Sequence, residues 1–408
     1  MGQTLETGCV IAGGGPAGLM LGYLLARAGV GVTVVEKHAD FLRDFRGDTI
    51  HPSTLQIMDE LGLLDAFLAL PHQKVPDLVA QFGDLRLRIA DFSHLPVKAP
   101  YIAMMPQWDF LNFLARHAAA YPNFRLLMET EATGLLTQNN GVAGIVATGP
   151  GGGLTIRAPL TIAADGRGSV LRAASGLPVT DFGTPMDVLW FRLPRSATDT
   201  DQTQGRFASG HIFIMLNRGD YWQCAYVIAK GANDRIRAAG LDAFRSGLRP
   251  LLPTDPARAD TVTGWDQIKL LNVQVNRMPT WWRPGFLCIG DAAHAMSPVG
   301  GVGVNLAVQD AVAAANLLHG GLIRGAATPT QLAAVQARRD WPTRMTQRLQ
   351  LTLQNRVIMA ALTADAPLQP PLVVRLIAAI PGLNRLPGRA IGLGLRREHV
   401  VAAIAGMP

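Results

Sequence analysis

Two hydrophobic rhythms alternate along the first part of the chain. Val10-Ile11-Ala12 is a short continuous apolar run, the pattern of a strand buried on both faces. After a glycine-rich break, Leu19, Leu21, Leu24, Leu25 and Ala28 continue as a helical stretch as far as Gly29, which stands where a helix ends. Val32-Thr33-Val34-Val35 is then β-branched and closes on Glu36. The strand-then-glycine pattern returns twice. Residues 160–164 run into Asp165-Gly166-Arg167-Gly168-Ser169, and residues 286–289 into Gly290-Asp291-Ala292-Ala293-His294, with a helix expected from about 305 to 318.

Elsewhere the rhythm changes. The segment 124–156 alternates short strands with turns at Asn139-Asn140-Gly141 and 150–153, which predicts a small β-meander inserted into the first domain. Longer strands follow at 186–193, 210–216 and 221–229, the last two joined by a tight turn, Asn217-Arg218-Gly219-Asp220. Beyond Leu318 come a helix at 331–348 and a Pro- and Leu-rich tail, 367–407, with helical pieces at 372–380 and 391–395. Ordinary packing is the reading for this tail, ahead of a cap over a pocket or contact with a membrane surface, since no long amphipathic helix with a basic face is sustained.

Composition narrows the function classes. Of 408 residues, 49% are hydrophobic and 16% charged, which describes a globular chain long enough for two or three domains. The formal net charge is +7, but Arg and Lys are scattered, with small pairs at Arg338-Arg339 and Arg396-Arg397 and no basic stripe interleaved with aromatics. Nucleic acid is therefore not an expected partner. Cys9, Cys224 and Cys288 lack any CxxC or Cys/His ligand spacing, so neither a disulfide framework nor a zinc site is expected. Thr7 to Ala26 carries no charge, yet six glycines and Pro16 interrupt it and no basic residue precedes it. The start is read as folded and cytoplasmic, with no transmembrane segment.

The first glycine cluster carries chemistry. Gly13, Gly15 and Gly18 make a GxGxxG between a strand and a helix, with the acidic Glu36 23 residues after Gly13. Gly13 serves the turn, Gly15 lets the backbone approach a pyrophosphate, and Gly18 lets helix and strand pack closely. Free N–H groups and the helix dipole then favour phosphate, while Glu36 accepts from ribose hydroxyls. This motif alone leaves FAD and NAD(P) equally open. No second GxGxxG with strand and helix context follows, so only one dinucleotide has a dedicated site. The Asp165 and Asp291 segments, each a strand end with Asp followed by a helix start, suit a polyol phosphate.

Taken together, GGGPAG with Glu36, the DG pair at Asp165-Gly166 and the GDAAH segment with Pro298, Gly303 and Asn305 resemble the single-component FAD-dependent aromatic hydroxylases, the para-hydroxybenzoate and ubiquinone-biosynthesis hydroxylase group. The resemblance spans residues 13 to about 310. It implies an α/β fold: a Rossmann-like FAD-binding domain with an inserted β-meander, from 1–180 and 276–345, a β-sheet-rich substrate domain, 181–275, and a C-terminal helical region, 346–408. For FAD it implies contacts at Gly13, Gly15, Pro16, Ala17, Gly18, Glu36 and Lys37. It adds Arg46 and Gln107 against the adenosine and pyrophosphate, and Asp165, Gly290 and Asp291 near the ribityl chain. Pro298, Gly301, Gly303, Val304 and Asn305 would lie along the isoalloxazine. The structural alternatives are a surface arginine for Arg46, a helix-start residue for Gln107 and a helix N-cap for Asp291. His294 is read as a structural histidine.

The sheet of 181–275 is expected to lie over the flavin. Inward-looking alternation offers Trp190, Arg192, Phe213, Met215, Trp222 and Tyr226, with Pro298, as substrate contacts, with core packing as the competing reading. The implied reaction has NAD(P)H visiting as a transient co-substrate, then O2 forming a flavin C4a-hydroperoxide that hydroxylates an electron-rich ring. No Ser/His/Asp or paired-carboxylate constellation is needed for it. No catalytic side chain is assigned; Tyr226, Arg192 and His211 are the available helpers. A small-molecule substrate, hydrophobic and aromatic or polycyclic, is expected, and a homodimer is left open. Rival readings are a flavin-dependent reductase or dehydrogenase, a halogenase, disfavoured by the lack of a WxWxIP-type segment, and a non-catalytic flavoprotein.

Overall fold

The computed structural model describes residues 3–42, 49–82, 85–200, 203–208, 210–252, 255–363 and 369–406. Its centre is a six-stranded sheet in the spatial order Trp282–Arg283, Phe286–Cys288, Thr161–Ala163, Cys9–Ala12, Val32–Val35, Phe124–Leu127. All neighbours are parallel except the edge strand Trp282–Arg283. Strands buried on both faces read as continuous apolar runs, which is why these short segments were legible. The three strands that end in glycine motifs are adjacent, with Thr161 opposite both Val10 and Phe286. Gly13, Asp165 and Gly290 therefore emerge side by side at one end of a parallel sheet, where ligands bind in open α/β folds.

The inserted meander forms a separate four-stranded sheet. Glu131–Gln138, Gly141–Gly149 and Gly152–Arg157 run antiparallel, and Gln3–Glu6 adds in parallel to the last. Asn139 and Asn140, with φ of 49° and 62°, make the hairpin turn that their composition predicts. Phe124–Leu127, expected within the meander, instead joins Val32–Val35 in the central sheet.

The second large sheet has seven strands, in the order Lys269–Leu271, Met186–Pro194, Tyr221–Ala229, His211–Asn217, Gln204–Ala208, Asp77–Phe82, Leu85–Asp91. The last two come from before residue 180, so this layer draws on two stretches of chain and not on 181–275 alone. Its two faces both bury apolar residues. On one, Phe191, Phe213, Met215 and Trp222 pack with Phe244 and Leu248 of the helix Leu241–Leu248. On the other, Met186, Val188, Ile212, Ala225 and Val227 pack with Val299, Ile358 and Ala361.

Helix Gly303–Ile323 runs through the main core beside Pro16–Arg27, close enough that a Cβ on Gly290 would touch Ala17 and Ala307 at 3.2 and 3.4 Å. The stretch Val299–Ile323 has the length and apolar character to cross a membrane, yet 72% of that window is buried inside the protein. The following helix, Pro329–Leu353, opens with a Thr328/Gln331 capping box and outruns the expected 331–348 at both ends. It continues through a π-turn at Gln354–Ile358 into Met359–Thr363.

The tail folds back onto both sheets. Arg27 donates to Ile404 O and Ala405 O at 3.0 and 2.9 Å, and a Cβ on Gly388 would collide with Asp91 O. His51 is fully buried, with Nδ1 2.9 Å from Ile391 O, and burial lowers its pKa to about 4. The unfolded chain, whose histidines titrate near 6.5, takes up this proton first, so its contribution is complete above pH ~6.5 and shrinks as pH falls toward 4. We expect a His51→Gln variant to lose up to about 3 kcal/mol less stability than the parent over that window in urea titrations. Equal losses in both would remove His51 as the cause.

Candidate functional site

Gly13 leaves the strand with φ 106°, and a Cβ there would meet Ala164 O at 2.3 Å. Its N–H donates to Val35 O at 2.8 Å, which fixes the turn to the neighbouring strand. At Gly18 a Cβ would fall 1.9 Å from Gly13 O, so the helix Pro16–Arg27 can approach only with glycine here. Gly15 differs: a Cβ on it meets no described atom within 4 Å. The N-cap is Gly15 with Pro16 and Ala17 following, and no described side chain caps the helix start. The result is an open cradle of first-turn N–H groups.

Glu36 borders this cradle. Its Oε2 accepts from Gly14 N–H at 2.9 Å and its Oε1 from His38 N–H at 3.1 Å. Lys37 points instead to Glu131, 4.0 Å away at the surface. Gln107 begins helix Gln107–Ala118 and is half-buried. Arg46 lies outside the described residues.

The other two turns are tied together. Asp165 accepts from Ser169 Oγ at 2.5 Å and Leu171 N–H at 3.3 Å, so both its oxygens serve the start of helix Val170–Ser175. Burial raises its pKa, against those hydrogen bonds. Asp165 therefore holds the turn that follows its strand. Arg167 donates to Asp291 Oδ2 at 3.2 Å, and Asp291 stays about a third exposed. Gly290 N–H and His294 Nε2 both meet Asp310 Oδ2, at 3.1 and 2.6 Å. His294 is buried against Trp281 and has the structural role read for it.

Beyond His294 the chain turns at Pro298, with Gly301 N–H on Pro298 O at 3.0 Å and positive φ at Gly300 and Gly301. Thr49 Oγ1 donates to Gly301 O at 2.8 Å, and a Cβ on Gly301 would strike that hydroxyl. Asn305 Oδ1 accepts from His51 N–H and Thr54 Oγ1 at 3.0 and 2.7 Å, and its Nδ2 faces Thr49 O and Gly301 O. That carboxamide is committed to the protein and holds the turn, which leaves the first-turn backbone of Asn305 as the part that can face a ligand. The 21-residue helix Gly303–Ile323 then starts at Gly303 and Val304 with no described side-chain cap and no acid in its first turn. Two uncapped helix starts thus face one sheet end: one cradle for a pyrophosphate, another donor cluster for ring carbonyls. FAD fits both.

The family model described as FAD binding domain matches residues 6–348. This chain belongs to that FAD-binding family. It is 31% identical over 370 residues to a 6-methylpretetramide 4-monooxygenase from Streptomyces rimosus, covering 90% of this chain and 87% of the relative. A rifampicin monooxygenase from Streptomyces venezuelae is 29% identical over 316 residues, covering 74% of this chain, and the match spans 62% of that longer protein. The OxyS anhydrotetracycline hydroxylase structure from Streptomyces rimosus superposes with a TM-score of 0.74 at 23% identity, over 97% of this chain and 77% of that one. The relatives named here are monooxygenases and a hydroxylase, and FAD is the cofactor of the matched domain family.

The structure divides the expected substrate contacts between the two faces of the seven-stranded sheet. Phe213, Met215, Trp222 and Tyr226 lie on the sheet face packed against Phe244, away from the face that meets Val299. The period of two was right, but helices 233–248 add a second apolar layer that makes both faces look like a pocket lining. Tyr226 Oη lies 2.7 Å from His211 Nδ1, and burial pushes that phenol up to about 12, so these two of the available helpers are tied to each other. Trp190 packs on the Val299 face, and Arg192 stacks over Tyr221 at 4.8 Å. Sequence reading missed Thr49, Arg167 and the buried Gln347, Gln350 and Gln354. The glutamine spacing of three and four was the available signal for the last group.

Proposed function

We propose that this chain is an NAD(P)H-dependent FAD monooxygenase that hydroxylates a hydrophobic aromatic or polycyclic small molecule. The observation that carries this reading is the convergence of three glycine turns and two uncapped helix starts at one sheet end, under an apolar sheet face. Bound there, FAD supplies hydride acceptance from NAD(P)H and activation of O2. The chain's residues supply the rest. Gly13 to Gly18 take the pyrophosphate, Glu36 the ribose, Gln107 the region beside it, and the Pro298–Val304 turn the flavin ring. Asp291, held by Arg167, faces the polyol chain.

Met186, Val188, Ile212, Ala225, Val227 and Val299 give the facing wall no acid or base, so their work is exclusion of water and positioning. Trp190 at the edge of that wall and Pro298 below it remain the proposed substrate contacts, with Arg192 further out. An apolar wall favours a bulky uncharged ring system, and the relatives named for 6-methylpretetramide and rifampicin support that reading. The NAD(P)H requirement and three buried free cysteines support a cytoplasmic setting.

Turnover under 18O2 with NADPH or NADH tests the reading. One labelled oxygen per product, with one reduced nicotinamide consumed, is the expected result across a panel of phenols and polycyclic aromatics. Reductant-dependent conversion without label would move the protein to the reductases, and no conversion with flavin bound would leave a binding protein.

A further inference from the structure

The helix Pro329–Leu353 carries Gln347 and Gln350, and Gln354 follows at its end, all nearly or fully buried on one face. Gln347 Nε2 donates to Asn276 O and Ala295 O at 2.8 and 3.1 Å. Gln350 Nε2 donates to Ser297 O and Val299 O at 3.0 and 2.9 Å. Gln354 Nε2 meets Ser297 Oγ at 2.7 Å. The contacts run along residues 295, 297 and 299, from the stretch after His294 into the turn at Pro298 and Val299. We propose that this glutamine ladder, Gln350 and Gln354 above all, positions the strap 297–301 that receives the isoalloxazine half of FAD; the inference rests on the flavin reading above.

Three features argue for positioning over mere filling. A buried donor is unfavourable unless paired, and the Nε2 groups of Gln350 and Gln354 are spent on the strap instead of on their own helix, while Gln347 ties Ala295, just ahead of it, to Asn276. The Oε1 atoms of Gln350 and Gln354 are buried without a partner among the described residues. Second, the strap leads straight into the positive-φ residues Gly300 and Gly301, whose far end is fixed by Thr49. With one end tied by Thr49, the ladder sets the other. Third, the helix widens into a π-turn at Gln354 itself, a local departure found mostly where function maintains it. The pyrophosphate cradle at Gly13–Gly18 shares none of these hydrogen bonds.

That separation gives the test. ADP engages only the cradle side, whereas FAD engages both. Gln350→Leu keeps volume and removes two donors, so FAD should bind about tenfold more weakly while ADP, measured by competition, changes less than about twofold. Gln354→Met provides a second, gentler removal with the same expected split, and Thr343→Val, equally buried on the same helix, should move neither ligand. Unchanged FAD affinity in both ladder variants, or FAD and ADP weakening together, would overturn the positioning role. A wild-type chain that binds ADP but not FAD would overturn the flavin reading itself.

Discussion

Gly15→Val leaves a folded protein that no longer holds FAD. Gly15 sits at φ −77° and ψ −175°, extended backbone that a β-branched residue adopts readily. A Cβ on it meets no described atom within 4 Å, so the apo chain accepts the side chain without repacking. The space it fills is the approach to the uncapped N–H groups of Pro16–Arg27, which is where a pyrophosphate must come closest. Affinity for FAD should fall at least about 100-fold, close to 2.8 kcal/mol. Gly18→Ala supplies the contrast. Its methyl would collide with Gly13 O, so that variant loses stability first and FAD as a consequence. Circular dichroism melting of the apo forms alongside flavin fluorescence titration separates the two. Retention of stoichiometric FAD by Gly15→Val would show that the pyrophosphate lies elsewhere.

The same distinction explains what the sequence could disclose. Gly13, Gly15 and Gly18 act through covalent geometry and nearest neighbours, so their spacing announces them without knowledge of the rest of the fold. Three short apolar runs before glycine were legible because parallel strands are buried on both sides. Asp165 and Asn305 show where local signals stop: the residue types suited a cofactor, but Ser169, Leu171, Thr54 and His51 take up their polar atoms. Those partners arrive from up to 254 positions away for Asn305. The substrate wall is ambiguous in sequence for a related reason. Alternation tells which residues of Tyr221–Ala229 share a face, and cannot tell which face meets the flavin when helix Leu241–Leu248 covers the other. Asp77–Phe82 and Leu85–Asp91 were missed as members of this sheet because their partner, Gln204–Ala208, lies more than a hundred residues on. The glutamine ladder looks, in sequence, like the polar face of an exposed helix.

Arg339→Met is expected to destabilise the fold by about 3–5 kcal/mol, although methionine fits the space and the site is remote from the glycine cradle. Arg339 is 1% exposed and its Nε donates to Asp310 Oδ1 at 3.0 Å, while Nη1 reaches Glu398 Oε1 at 3.1 Å and Arg396 O at 3.0 Å. It therefore joins the helix behind Gly290 to the tail. Burial alone would raise the Asp310 pKa, but His294 and Arg339 together outweigh it and hold the carboxyl below its ordinary value. Removing the guanidinium leaves Asp310 with His294 and Glu398 with the half-exposed Arg338, two acids with too little positive charge between them. The Asp310 pKa should then rise above that of the unfolded chain. An acid raised in the folded state weakens the fold above its pKa and is relieved as protons bind, so the deficit of the variant should narrow as pH is lowered from 7 toward 5. Arg339→Met/Glu398→Gln should recover part of the loss at neutral pH by removing one of the stranded charges. Urea unfolding at both pH values decides it. A single variant within about 1 kcal/mol of the parent, or a deficit that widens on acidification, would mean that the carboxylates find water or another cation. Because Asp310 Oδ2 also holds Gly290 N–H, the folded fraction of Arg339→Met should bind FAD more weakly as well, which makes the tail a support of the cofactor site through one buried carboxylate.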